Sequence, residues 1–355
     1  MRGVGLMAGT SLDGVDAALV AFAPDGTPTL ERFVTTPYPD RLRNDLLALI
    51  ALGDVPAPPV LDDALGRLFA EAAIAVRADA SVDFVGSHGQ TVWHDPGVAS
   101  RQIGNPAIIA AACHVPVVSD FRRADIAAGG QGAPLVPLAD AVLFGNPDGP
   151  RTLLNIGGMA NATYVPRLGV EDGVIAFDTG PGVAIMDLVA RAVDPALRCD
   201  LDGRLAAAGR ADEALLAELL ADPWFEVPPP KSTGRERFGQ AVAERIVAAC
   251  GRTSDAVATA TAFTARSIVA QLDRWLPSSR GDLLVAGGGL HNRTLCTSLP
   301  PFLPFSDCFF NADAKEALVF AWLGWRTLHG LPGNLPAATG ARGPRVLGSV
   351  VGTGV

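Results

Sequence analysis

The sequence predicts an α/β protein of two lobes, and three observations carry that reading. First, the two halves open alike. Residues 3–7, a loop at 8–14 and the apolar run 15–22 read as strand, tight turn, strand, and 151–156, Gly157-Gly158 and 160–165 repeat the pattern. A third strand follows in each half, at 29–36 and 174–177, and helices and further strands alternate after it. Second, Gly145-Asn146-Pro147-Asp148-Gly149-Pro150 has the composition of a linker, which places the lobes at 1–148 and 149–355. Third, 355 residues suggest two domains. With 49% apolar and 18% charged residues, each lobe can bury a sizeable core, and the chain is neither disordered nor fibrous. Two such lobes imply a cleft, the usual place for a ligand.

Apolar spacing gives the elements in order. Leu42, Leu46, Leu49 and Ile50 share one face of a helix over 40–53, and Leu61, Leu65, Leu68, Phe69 and Ala72 share one face of a helix over 60–80. Residues 82–86 form a buried strand that ends at Ser87-His88-Gly89-Gln90-Thr91. Pro106 sits where a helix begins, since a first-turn residue needs no N–H partner. Residues 115–120 form a strand, and 138–144 a helix. In the second half, helices fall near 183–193, 211–221, 237–250 and 254–276. The strand 282–286 runs into Gly287-Gly288-Gly289, and a long amphipathic helix covers 313–329.

A net charge of −9 argues against a nucleic-acid surface. The five cysteines show no CxxC pair, fit neither a zinc site nor a disulfide framework, and suit reduced thiols in the cytoplasm. The N-terminus lacks the apolar stretch of a signal peptide, and no run reaches the ~20 apolar residues of a membrane helix.

The stretch Phe177-Asp178-Thr179-Gly180-Pro181-Gly182 places a carboxylate where a buried strand meets a glycine-rich turn. Ligands bind at such edges in open α/β sheets. Burial can raise a carboxylate toward the range of a general base, and the next helix can offer free N–H groups to an anion. Equally, Asp178 could merely cap that helix. The first hairpin loop, Gly9-Thr10-Ser11-Leu12-Asp13-Gly14-Val15-Asp16, has the small residues and hydroxyls to cradle phosphates, with Asp13 placed to hold magnesium through water. Its alternative is an ordinary turn. Neither GxxxxGK[ST] nor a strand-borne GxGxxG occurs, so a nucleotide would bind by another architecture.

Residues 87–94 gather His88, Gln90, Thr91, Trp93 and His94, which suit a polyhydroxylated ligand. Two lone histidines are more often structural than metal ligands. Arg122 and Arg123, followed by Asp125, could take a carboxylate or phosphate, or form a solvated ion cluster. The stretch 228–236 is either an exposed linker or an arm whose Lys, Ser, Thr and Arg reach a ligand. Gly287, Gly288 and Gly289 either make a turn or let a flat base approach the backbone.

Taken together, these stretches resemble the anhydro-N-acetylmuramic acid kinase family of the sugar kinase/Hsp70/actin superfamily. The resemblance is carried by MAGTSLDGVD (7–16), SHGQTVWH (87–94), QIGNPA (102–107), DFRRADIAAGGQGAPLVPL (120–138), LNIGGMAN (154–161), FDTGPG (177–182), PPKSTGRERF (229–238), AGGGLHN (286–292), EALVFAWLGWRTLHGLPGNLP (316–336) and TGA (339–341). These stretches run in the family's order over nearly the whole chain. Val183, Ala8 and Gly239 stand where the family usually has Asn, Ser and Asn.

The resemblance implies two actin-like ATPase (ribonuclease H-like) lobes flanking a nucleotide and sugar cleft. It implies that water opens 1,6-anhydro-N-acetylmuramic acid while ATP phosphorylates O6, in peptidoglycan recycling. Asp178 would be the base, and residues 9–16 with Gly157 and Gly158 the phosphate loops. Gly287–Gly289 would line the adenosine pocket, and Asp13 would serve Mg2+. Thr91, Arg122, Arg123, Asp125 and Glu316 would face the sugar. The protein would be a cytoplasmic homodimer with no nucleic-acid or membrane partner. An ATP-independent glycosidase would need two carboxylates and no nucleotide. A non-enzymatic actin- or Hsp70-like switch would carry an inserted peptide-binding or filament-forming segment, and none is visible.

Overall fold

The computed structural model describes residues 1–9 and 12–352. It divides into two compact units. One combines Met1–Ala139 with the segment from Asp313 onward, and the other is Asp140–Ala312.

In the first unit, β1 (Arg2–Ala8), β2 (Gly14–Phe22) and β3 (Pro28–Pro37) form an antiparallel meander. On the other side of β1 lie β4 (Phe84–Asp95) and β6 (Val117–Ser119), both parallel to it, and then the short antiparallel strand Ser349–Val351. β5 (Ala99–Ile103) pairs antiparallel with the far half of β4. Side chains alternate across a strand. Val4 and Leu6 therefore pack in one cluster with Leu46, Leu65 and Phe69 from helices Asp40–Ala51 and Pro59–Arg77. Gly5 faces the other way, toward helix Lys315–Leu328.

The second unit repeats the plan. β7 (Arg151–Ile156), β8 (Met159–Val165) and β9 (Ile175–Pro181) form the meander. β10 (Asp282–Ala286) and β11 (Leu303–Pro304) continue in parallel beyond β7. Helices Val183–Val193, Gln240–Cys250 and Ser254–Trp275 cover it. Their shared core holds Phe177, Phe225, Phe238 and Phe263, each nearly or fully buried and stabilising by about 1.5–3 kcal/mol. A three-stranded meander followed by parallel strands on the far side of its first strand is the ribonuclease H-like arrangement, and both units have it.

The division expected at 148/149 is corrected. Residues 145–150 form a tight turn closed by an Asn146–Gly149 bridge inside the second unit. The segment after Asp313 returns to the first unit because helix Lys315–Leu328 lies directly on β1 and β4. Two strand glycines permit that approach. A Cβ on Gly5 would sit 1.8 Å from the Ala317 carbonyl oxygen, and one on Gly86 would sit 2.2 Å from that of Phe320. Among the described residues, no helix is long and apolar enough to cross a membrane.

Two strands outrun their expected ends. β4 continues through Ser87–Asp95, because β5 supplies hydrogen-bond partners to a stretch too polar to read as a strand. β9 continues through Asp178 to Pro181. The helices of the second half begin or end within three residues of their expected limits.

Candidate active site

Asp178 lies within β9 opposite Asn161 of β8, not at a strand end. Ala160 pairs with Gly180 and Asn161 with Asp178, so Thr179 is an extra, bulged residue. Bulges re-aim side chains, and Gly180 takes the positive φ of +126° that follows. A strap, residues 229–233, lies against this edge. The Asp178 N–H donates to the Lys231 carbonyl at 3.0 Å, and the Thr233 N–H donates to Asp178 Oδ2 at 2.8 Å. Burial pushes the Asp178 carboxyl up to about 7, with the Thr233 N–H opposing, Glu236 adding and Lys231 opposing. The hydroxyls of Thr179 and Thr233 are buried without a hydrogen-bond partner among the described residues. Native structures rarely leave such groups unpaired unless a further polar group belongs beside them.

Gly157 and Gly158 turn β7 into β8. Their carbonyls, not their N–H groups, face the start of helix Val183–Val193. Val183 N–H donates to the Gly157 carbonyl at 2.9 Å, and Gly182 and Ala184 N–H donate to that of Gly158 at 3.1 and 3.2 Å. The expected anion site of free N–H groups at this helix start is therefore corrected, because the turn already satisfies them. Val183 stands within this closed junction. A Cβ on Gly182 would lie 2.1 Å from the Gly157 oxygen. Gly182→Ala is thus expected to separate turn from helix, lowering stability by about 1–3 kcal/mol in urea unfolding. Arg235, exposed and without an ion pair among the described residues, reaches the same turn: its Nη2 lies 3.7 Å from where a Gly158 Cβ would be.

Beyond β10, Gly287 takes a φ of +91° and Gly289 packs on Ile156. Nothing lies within 4 Å of a Cβ position on Gly288, so its backbone presents an open face.

In the first unit the hairpin loop 9–16 includes Thr10 and Ser11, which lie outside the described residues. Leu12 is buried with φ +57°, and its N–H reaches the Gly9 carbonyl at 3.3 Å. Gly14 is required by its neighbour, since a Cβ there would meet the Thr36 oxygen at 2.3 Å. Val15 is fully buried in the core. Asp13 is exposed. Asp16 accepts from the Thr35 hydroxyl at 2.6 Å. Burial raises its carboxyl and the Thr35 bond lowers it, with smaller upward pushes from Asp313 and Asp13. Neighbouring carboxylates that repel one another fit a cation held through water. Among the described residues, no group of three or more His, Cys, Asp or Glu stands ready to hold a metal directly.

His88 and Arg122 come together, which their spacing does not reveal. Arg122 donates from Nε and Nη2 to His88 Nε2 at 3.2 and 2.9 Å. Since arginine only donates, His88 Nε2 carries the lone pair, and Nδ1–H donates to the Gly89 carbonyl at 2.9 Å. Burial, and then the Arg122 charge, hold His88 well below its usual value, so it is a neutral acceptor that aims the guanidinium. Burial also lowers Arg122 to about 10 against the upward pull of Glu316, so these two expected sugar contacts are close neighbours. Thr91 accepts from Gln102 at 3.1 Å.

Two expected contacts are placed otherwise. Arg123 is exposed and paired with Asp120 at 2.7 Å. Asp125 is fully buried, and its carboxylate is already used: Asn334 and Thr339 donate to Oδ1 at 2.7 Å each, and Gly132 N–H donates to Oδ2 at 2.8 Å. It therefore holds loop 129–132 and the C-terminal segment together. The residues that sequence reasoning left unassigned are His88 as the aiming group, Lys231 in the strap, and Arg235. All three lie in stretches whose polar residues signal a ligand, 87–94 and 228–236, but neither stretch reveals the partner of each side chain.

Two ribonuclease H-like units, one bearing a half-buried carboxylate tuned near neutrality in its third strand, define an enzyme of the actin-like ATPase fold. Comparison with known proteins narrows the class. The chain belongs to the family described as anhydro-N-acetylmuramic acid kinase, whose pattern matches residues 1–353. Three proteins with that name are similar to it. One from Salinibacter ruber is 44% identical, covering 98% of this chain and 95% of that protein. One from Caldanaerobacter subterraneus subsp. tengcongensis is 40% identical over 98% and 96%. One from Acaryochloris marina is 42% identical over 99% of each.

Proposed function

We propose that the protein uses ATP and water to convert 1,6-anhydro-N-acetylmuramic acid into N-acetylmuramic acid 6-phosphate and ADP, as a step of cell-wall recycling. The observation that carries this reading is the Asp178 carboxyl, desolvated to about 7 and held by the Thr233 N–H. A base poised near the working pH takes a proton from water most effectively. Water adds to the anomeric carbon, the anhydro bond breaks, and O6 takes the γ-phosphoryl group as ADP leaves. A glycosidase would need a carboxylic acid for that departing oxygen, and here the phosphoryl group accepts it.

The remaining assignments follow the geometry of each unit. The unpartnered Thr179 and Thr233 hydroxyls suit the water or the sugar beside Asp178. Arg122, aimed by His88, suits the lactyl carboxylate, with Glu316 and Thr91 for sugar hydroxyls. Loop 9–16, Gly157, Gly158 and Arg235 serve phosphates, and the open face at Gly288 suits adenine. Mg2+ would be held by Asp13 and Asp16 through water, and it would supply charge neutralisation to the phosphates. Five free thiols fit a reducing cytoplasm. The family resemblance favours a homodimer.

The expected pH dependence has a definite sign. Below about 7 the Asp178 carboxyl is protonated and cannot act as base. Turnover should therefore fall about tenfold per unit on the acid side, with a midpoint near 7. A pH profile of kcat/KM for the sugar, which reports the groups of the substrate-free enzyme, tests this. A rate that stays flat down to pH 5 would remove Asp178 from the role.

A further inference from the structure

Lys231 is almost wholly buried, yet it is no part of the sugar or phosphate assignments. Its Nζ donates to the carbonyls of Trp224 and Phe225 at 3.3 Å each and to Gln271 Oε1 at 2.5 Å. All three ammonium protons thus have acceptors. The same Nζ lies 4.2 Å from the ring centre of Trp224 and 5.6 Å from that of Trp275. The cage is itself fixed, because Trp275 Nε1 donates to the same Gln271 oxygen at 3.0 Å and Gln271 Nε2 donates to Phe225 O at 3.2 Å.

From this anchor the strap runs along β9. The Lys231 carbonyl accepts the Asp178 N–H, and two residues later the Thr233 N–H meets the Asp178 carboxylate. A caged side chain, its own carbonyl and the next N–H but one therefore bracket the base from a single short segment. Burying an ammonium ion is costly unless every proton is paired, so a lysine spent here answers to a need that an apolar residue would not meet.

We propose that Lys231 is a positioning residue for Asp178: its caged ammonium pins the strap against β9, which fixes the carboxylate's orientation and keeps a positive charge beside it. This rests on the reading of Asp178 as the base. The charged groups facing Lys231 are Arg274 from helix Ser254–Trp275, Glu226 from the turn Pro223–Glu226, and Asp178 from β9. Arg274 and Glu226 pair with each other. Asp178 faces Glu236 besides Lys231. Removing the ammonium leaves Asp178 with the like charge of Glu236 and a looser Thr233 N–H, and both changes favour the protonated carboxyl.

The test is a carboxyl-carbon NMR titration of the full-length protein without substrates, with the Asp178 resonance identified by its loss in Asp178→Asn. Lys231→Met is expected to move the Asp178 midpoint upward by about one unit, and Lys231→Arg, which keeps the charge, to move it back toward wild type. The acid limb of kcat/KM for the sugar should shift by the same amount, about a tenfold loss at pH 6, while affinity for ATP stays unchanged. If Lys231→Met does not fold, Gln271→Leu removes one acceptor of the cage and should shift the midpoint in the same direction. An unchanged or lowered Asp178 midpoint in the folded variant overturns the inference, since a purely structural lysine would alter thermal stability alone. The titration needs no turnover, so a wild-type chain inactive on the anhydro-sugar would defeat the functional reading without touching this one.

Discussion

Asp178→Asn is expected to lower turnover by about 10²–10⁴-fold while leaving ATP affinity and thermal stability close to wild type. The substitution is nearly isosteric, and its carbonyl oxygen can still accept the Thr233 N–H that meets Oδ2 at 2.8 Å. The Asp178 N–H bond to Lys231 O is a backbone bond and survives unchanged. What disappears is the ability to take a proton. Because the carboxyl is raised to about 7 by burial, the neutral amide also relieves an unfavourable charge, so a loss of stability would be unexpected. Steady-state rates with isothermal titration of ATP separate the two quantities. A variant with near wild-type turnover would remove the base assignment.

Asp125→Ala should produce the largest change in folding. The carboxylate accepts from Asn334, Thr339 and Gly132, and its removal leaves three donors facing a void. A stranded buried donor costs about 1–3 kcal/mol, so a loss of about 3–5 kcal/mol is expected with partial relaxation. That is a large part of the 5–15 kcal/mol typical of a domain. Loop 129–132 would lose the Gly132 N–H bond to Oδ2 and keep only the backbone bond from Gly130 N–H to the Asp125 carbonyl at 2.9 Å. Hydrogen exchange should therefore rise both at 129–132 and at 334–345, two stretches far apart in the chain. Asp125→Asn keeps one acceptor and should lose less. If exchange rose in only one of the two stretches, Asp125 would not be the link between them.

Much of the fold was legible because glycine loops interrupt apolar runs sharply. Both meanders follow from that punctuation, and helices such as Val183–Val193 follow from their apolar stripe. The misread places have a common cause. The polarity of Ser87–His94 points to an end of β4 at Gly86, and its partner β5, Ala-Ser-Arg-Gln-Ile, has too few apolar residues to announce a strand. The glycine and proline after Asp178 point to a strand end there, whereas a bulge at Thr179 lets the strand continue. The return of the C-terminal helix to the first unit depends on Gly5 and Gly86, whose purpose is visible only when Ala317 and Phe320 are set against them. In the site, the motif residues declared their chemistry but not their partners. His88 and Arg122 are 34 residues apart, and the cage around Lys231 draws on Trp224, Gln271 and Trp275. Such long-range pairings leave no local pattern.

In the proposed reaction, water enters the sugar while phosphate enters at O6. Turnover of 1,6-anhydro-N-acetylmuramic acid in ¹⁸O-labelled water, with ATP and magnesium, quenched quickly and read by mass spectrometry, tests it most directly. The expected product has gained one labelled water and one phosphoryl group, with the label in the anomeric hydroxyl and none in the phosphate, and no product forms when ATP is omitted. A sugar opened without ATP, a phosphorylated sugar that keeps its anhydro bridge, or label appearing only in free phosphate would contradict it.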